Sequence, residues 1–167
     1  MTDSPPSNTA ITYKMEVYRL VRSKFAGTLT ASGRANRWNR ESEHVLYAAS
    51  SRSLAALKQL VHLDQASLAD TYCMLVLSVN EKQYPLQSIS VNQLPANWKH
   101  FQSIPDLQGI GSSWYKNQSS VLLRVPSIII EQEHNYLINT RHPDFKRCVK
   151  LVRTEIYGWD RRLKSPQ

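Results

Sequence analysis

The chain has 167 residues, 41% of them hydrophobic and 20% charged, which is an ordinary globular mix sized for one domain and excludes a fibrous or largely disordered protein. A formal net charge of +8 directs attention to nucleic acid, nucleotide phosphates or an acidic protein as partners. The excess sits at the two ends, nine Lys and Arg against four acids in residues 1–60 and nine against five in residues 121–167, without a tract of like charges.

Residues 1–13, rich in Ser, Pro and Thr, read as a flexible N-terminus, and residues 161–167 read the same way. They carry no signal-peptide pattern, and no apolar run is long enough to cross a bilayer, so a cytoplasmic protein is expected. Met15 to Val21 is a candidate strand. Ser23 to Glu43, with Gly27, Gly33 and several Asn, reads as a long surface loop or irregular excursion, and loops of that length inside a small domain usually carry function. His44 to Ala49 reads as a short buried strand. Ser50 to Ser53 offers N-caps for a helix to about Leu63, with Leu54, Leu57, Val61 and Leu60 as its buried side.

Leu68 to Val79 predicts a strand and Tyr84 to Ile89 a weaker one. Pro95 to Asn117 has an irregular front and a helical back. Val121 to Val125, Ser127 to Ile130 and Tyr136 to Asn139 read as three strands, and residues 142–152 as a short helix leading into a last strand through Ile156. Strands outnumber helices without regular alternation, which favours a single α+β domain over a doubly wound sheet. Cys73 and Cys148 stand far apart, without CxxC or CxxH spacing, so neither a disulfide framework nor a metal site is expected. GxGxxG, P-loop and HExxH signatures are missing.

Chemistry must therefore come from scattered residues. Arg19, Arg22, Lys24, Arg34, Arg37 and Arg40 gather near Trp38 and Tyr47 in sequence. Forked guanidinium groups beside aromatic faces suit a pyrophosphate and a flat ring, and suit single-stranded nucleic acid equally well. Ser127, between Pro126 and three Ile, is a hydroxyl among residues that favour burial. No GxSxG elbow accompanies it, and a backbone-bonded core Ser is its ordinary fate.

VYRLV at 17–21, GRANRWN at 33–39, VLYAAS at 45–50, SLAALKQLVHL at 53–63, VLLRVPS at 121–127 and NYLINTRHPDF at 135–145 together resemble the RES domain, over about residues 14–160. The resemblance implies an ADP-ribosyltransferase-like mixed β core with flanking short helices. It also implies the toxin of a bacterial toxin–antitoxin pair, with NAD+ as substrate, no metal, and cleavage of the nicotinamide–ribose bond by hydrolysis, phosphorolysis or ADP-ribosyl transfer to a protein target. An Xre-like antitoxin is the implied partner, a homodimer is compatible with it, and no membrane is involved.

By position, the family's arginines fall on Arg19 and Arg37, which then hold the phosphates and ribose of NAD+; Tyr47 packs on the nicotinamide end and Ser127 positions a polar group. The family's Glu falls on Lys58, and residues 50–63 contain no Asp or Glu to replace it. Departure of nicotinamide leaves an oxocarbenium-like ribose that a carboxylate stabilises and an ammonium opposes. Lys58 is therefore expected to attenuate turnover while leaving the fold intact. Asn36 and Thr140 depart from the family's Gly and Pro. The alternatives are a catalytically inactive NAD+- or antitoxin-binding module and a basic nucleic-acid-binding domain.

Overall fold

The computed structural model describes residues 14–63 and 70–164. Of the segments expected to be loose, residues 1–13 and the 165–167 part of 161–167 lie outside the described residues, as does the predicted start of a strand at Leu68, whereas residues 161–164 are described and form a 3-10 turn. The strands are β1 (Met15–Arg22), β2 (Val45–Ala49), β3 (Tyr72–Val79), β4 (Gln87–Ser88), β5 (Leu122–Pro126), β6 (His134–Asn139) and β7 (Val149–Tyr157). The helices are α1 (Arg52–Leu60), α2 (Ile104–Asn117) and α3 (Phe145–Cys148), and a 3-10 turn at Arg161–Lys164 follows β7.

The strands form one seven-stranded sheet in the order β4-β5-β6-β2-β1-β3-β7, antiparallel throughout except for the parallel β4–β5 pair. This is the α+β mixed sheet expected from the element pattern. All residues of β3 are buried, as its unbroken apolar run predicts for a strand covered on both faces.

The period-two alternation of β2 distributes its side chains between two cores. Leu46 and Ala48 join Val17, Leu75, Leu77 and Ile138 on one face, which loop residues Leu29 and Tyr84 and the start of α3 cover. Val45 and Tyr47 face the cluster built on Leu107 and Trp114 of α2, and Ala49 faces Leu54 and Ala55 of α1. Both long helices therefore lie on the same side of β2.

Between them the sheet opens. β1 runs in continuous register with β3 from Met15 opposite Val79 to Arg22 opposite Tyr72, whereas it meets β2 through the single pair Tyr18 opposite Ala49. Beyond that pair the two strands part, and the space between α1 and α2 extends into the gap.

Three expectations are corrected. Ser127–Ile130 is not a strand: its hydroxyl accepts the backbone N–H groups of Ile129 at 3.2 Å and Ile130 at 3.3 Å, and those local bonds bend the chain away from a ladder. Helix α1 stops at Leu60, with Ser51 as its N-cap accepting from the N–H of Leu54 at 3.1 Å. Val61, expected in the core, is 59% exposed because it lies past the last helical turn. The excursion after β1 is irregular as expected, but it is no mere surface loop, since Gly33, Trp38, Asn39 and Glu43 are buried.

Candidate functional site

A cleft of about 520 Å³ occupies the gap between β1, β2, α1 and the loop before β2. It is lined by Arg19, Arg37, Tyr47, Lys58 and Ser127, so the five site residues expected from sequence come together. Of the six-cation cluster, only Arg19 and Arg37 belong here. Arg22 pairs with Asp70 at 3.0 Å, Lys24 lies over the ring of Phe25, and Arg34 and Arg40 are exposed.

Arg19 occupies the point where the strands part. Continued pairing would set Leu20 opposite Tyr47; instead the Arg19 guanidinium donates to the Tyr47 carbonyl at 2.8 Å and completes the hydrogen bonding that the ladder leaves open. Burial lowers the pKa of this guanidinium from its ordinary value, though a group that basic remains charged.

The loop that carries Arg37 is fixed from inside. The Asn39 side-chain amide donates to the carbonyls of Arg34 at 2.9 Å and Arg40 at 3.0 Å, and its oxygen accepts the Tyr47 hydroxyl at 2.6 Å. The buried Glu43 carboxylate takes the N–H of Arg40 at 2.8 Å and the hydroxyl of Ser112 on α2. Trp38 is packed with Trp98, Leu107 and Trp114, and its carbonyl lies against Gly111 of α2, where an added Cβ would come within 1.8 Å of the oxygen. A helix-interior glycine costs about 1 kcal/mol relative to alanine, and here it permits the loop's close approach.

Arg37 thus projects from a rigid support, yet its Nη1 is buried without a hydrogen-bond partner, and desolvation lowers its pKa. Asn135, buried at the start of β6 and also lining the cleft, likewise has an unpartnered Oδ1. A buried unmade hydrogen bond costs on the order of 1–3 kcal/mol, more for a charged group, so such atoms in a cleft wall are ready for a polar ligand.

Tyr47 and Lys58 form the inner wall. The Tyr47 hydroxyl accepts from the Trp38 N–H at 3.3 Å, and burial raises its pKa further above an already high value, so the phenol is neutral and acts through its ring and hydrogen bonds. Lys58 is half-buried, with its Nζ 5.5 Å from the centre of the Tyr47 ring. Burial, with the Arg19 charge behind it, pushes the Lys58 pKa down to about 8. Ser127 is fully buried at the cleft wall, its oxygen occupied by the turn that follows.

Asn39, Glu43, Gly111 and Asn135 were not apparent from the sequence as parts of this site. Asn135 carries a signal in the sequence, an amide beside the apolar centre Tyr136 to Ile138 of β6, although Asn139 at the other end of the strand shares it. Among the described residues, no group of three or more His, Cys, Asp and Glu side chains is placed to hold a metal ion, and no helix is long and apolar enough to cross a membrane. Cys73 and Cys148 are free and buried.

Residues 16–160 match the family described as the RES domain. The chain is 32% identical over 154 residues to "Toxin Res" of Yersinia enterocolitica, covering 90% of this chain and 100% of that protein. It is 35% identical over 123 residues to the "Prs ADP-ribosylating toxin" of a Sphingobium strain, covering 72% of this chain and 76% of that protein. Among solved structures, the M. tuberculosis MbcT-MbcA toxin-antitoxin complex contains a chain that superposes with a TM-score of 0.67 at 15% identity, covering 88% of this chain and 86% of that one. That likeness supports the fold, and the match along almost the whole sequence supports the family: the chain belongs to the RES domain family.

Proposed function

We propose that this chain is the toxin of a toxin–antitoxin pair, that its cleft takes NAD+ as substrate, and that Lys58 attenuates cleavage of the nicotinamide–ribose bond. The observation that carries this reading is a cleft walled by Arg19, Arg37 and Lys58, with unpartnered polar atoms on Arg37 and Asn135 and, among the described residues, no carboxylate in its lining. The relative named as an ADP-ribosylating toxin and the structural neighbour solved as a toxin–antitoxin complex support the class of activity and an antitoxin as partner, which we take to be Xre-like.

In this reading Arg37 and Arg19 bind the pyrophosphate and adjoining ribose, the Tyr47 ring packs on the nicotinamide end, and Ser127 holds the wall against the ribose. Breaking the bond between ribose C1 and the ring nitrogen sends the electron pair to nicotinamide, which leaves neutral, while positive charge develops on the ribose until water, phosphate or a protein nucleophile attacks. A carboxylate at position 58 would stabilise that charge. Lys58 opposes it; with Tyr47 packing on the nicotinamide end, the contact of the ammonium with that ring supports a position at the reacting end rather than at the phosphates.

The test is nicotinamide release from NAD+ by the wild-type chain and by Lys58→Glu, with water, phosphate and a bacterial lysate supplied as acceptors. Lys58→Glu is expected to release nicotinamide at least about a hundredfold faster than wild type, the scale on which one transition-state electrostatic group acts. No release by either form with any acceptor overturns the catalytic reading. A binding module without turnover is the second reading, favoured by Lys58 itself, and it gains if Lys58→Glu binds NAD+ and leaves it intact.

A further inference from the structure

The charges of the cleft are one-sided in a way that bears on which dinucleotide it prefers, given its reading as a dinucleotide site. Arg19, Arg37 and Lys58 line it, and among the described residues no Asp or Glu does. The neighbouring acids are committed elsewhere. Glu43 accepts from Ser112 and the Arg40 N–H, and Glu133 accepts from Ser51 at 3.2 Å.

NAD+ carries two kinds of charge: a doubly negative pyrophosphate and a positively charged pyridinium ring. The guanidinium of Arg37, with a buried unpartnered nitrogen, suits the first. The second has no counterpart. At the wall formed by Tyr47 it meets the ring face together with an ammonium already seated 5.5 Å from that ring's centre, and behind it the Arg19 guanidinium. The aromatic face that would attract the ligand's cation is shared with Lys58.

We propose that the cleft selects against the pyridinium charge, holding NADH and ADP-ribose more tightly than NAD+, with Lys58 as the discriminating residue. NADH keeps the size and most of the shape of NAD+ and lacks only the ring charge; ADP-ribose lacks the ring altogether. Like charges held a few ångströms apart in a partly desolvated cleft change affinity by about tenfold. The wild-type chain is thus a receptor for an adenosine diphosphate ligand that ends in an uncharged group, which includes the product left after nicotinamide departs.

Calorimetric titration of the full chain with NAD+, NADH and ADP-ribose at pH 7 tests this, with Lys58→Met and Lys58→Glu beside it and thermal melting as the folding control. Wild type is expected to bind NADH and ADP-ribose about tenfold more tightly than NAD+, Lys58→Met to bind NADH and NAD+ alike, and Lys58→Glu to prefer NAD+. Equal affinity of wild type for NAD+ and NADH overturns the inference, even where Lys58→Glu releases nicotinamide and the functional reading stands. A wild-type preference for NADH that survives unchanged in Lys58→Met also overturns it. Binding of none of the three overturns the inference and the dinucleotide reading together.

Discussion

The cleft and the far edge of the sheet use the same residue types to opposite ends. At the edge, Arg52 grips Glu155 through two bonds of 2.9 and 2.8 Å, Arg153 bridges Glu155 and Glu16 at 3.0 Å each, and the Arg52 guanidinium lies over the Tyr18 ring at 4.5 Å. Every cation in that network has an anion, and every group is open to water. In the cleft, Arg19, Arg37 and Lys58 face one another's field with no acid among the described lining residues, and one guanidinium nitrogen is buried with no partner. Net charge alone does not distinguish the two regions; pairing does. Paired, exposed charge is surface, and unpaired, half-buried charge marks a candidate site.

The largest effect is expected where the cleft wall is anchored. Gly111→Ala would set a Cβ within 1.8 Å of the Trp38 carbonyl, between two backbones that cannot both stay. A loss of about 2–3 kcal/mol is expected, a fall of roughly 6–10 °C in melting temperature, together with weaker ligand binding because Arg37 adjoins the displaced residue. Gly27→Ala is the control: a Cβ there meets nothing within 4 Å, so its melting temperature should hold or rise slightly. Equal melting of the two variants would remove α2 as the support of the cleft.

Arg37→Ala separates binding from stability. Losing a charge-assisted bond to a pyrophosphate costs about 1.5–3 kcal/mol, so affinity for ADP-ribose should drop about 10- to 100-fold by calorimetry. The melting temperature should not fall with it, since the buried Nη1 makes no hydrogen bond within the protein. A variant that melts early and still binds would mark Arg37 as structural, on a par with the arginines of the far edge.

How much of this the sequence discloses depends on where the information resides. β3 is legible because an eight-residue apolar strand buried on both faces needs no context. Arg19, Arg37, Tyr47, Lys58 and Ser127 are legible as a set through a family resemblance, and the fold does bring them to one cleft. Composition alone would have included Arg22, Lys24, Arg34 and Arg40, which only the fold separates from Arg37, Arg22 ending β1 in a pair with Asp70 and Arg34 and Arg40 lying exposed on the loop. The three isoleucines after Ser127 look like a strand, because the hydroxyl bonds that bend the chain there are invisible to periodicity. Glu43 reads as one more solvated loop acid. Its burial depends on Ser112, which is 69 positions away, and a contact at that separation has no local signature.

The smallest effect is expected at the far edge, and it is the one that isolates charge pairing as surface. Arg153→Ala removes two exposed ion pairs, and water screens such pairs strongly, so the melting temperature should shift by only a few degrees and dinucleotide affinity should not change. The edge should also respond to acid in a defined direction. Arg52 and then Arg153 hold the Glu155 pKa down to about 2, below the ordinary value of 4.5. A carboxylate with a depressed folded-state pKa contributes its stability above pH 4.5 and loses it progressively as the pH falls from there toward about 2. Wild type should therefore lose melting temperature over that window faster than Arg153→Ala does, and added salt should narrow the gap between them, because water-exposed pairs are screened. A gap that salt leaves unchanged would mean the edge network is shielded from solvent, and the contrast with the cleft would then rest on the missing acid alone.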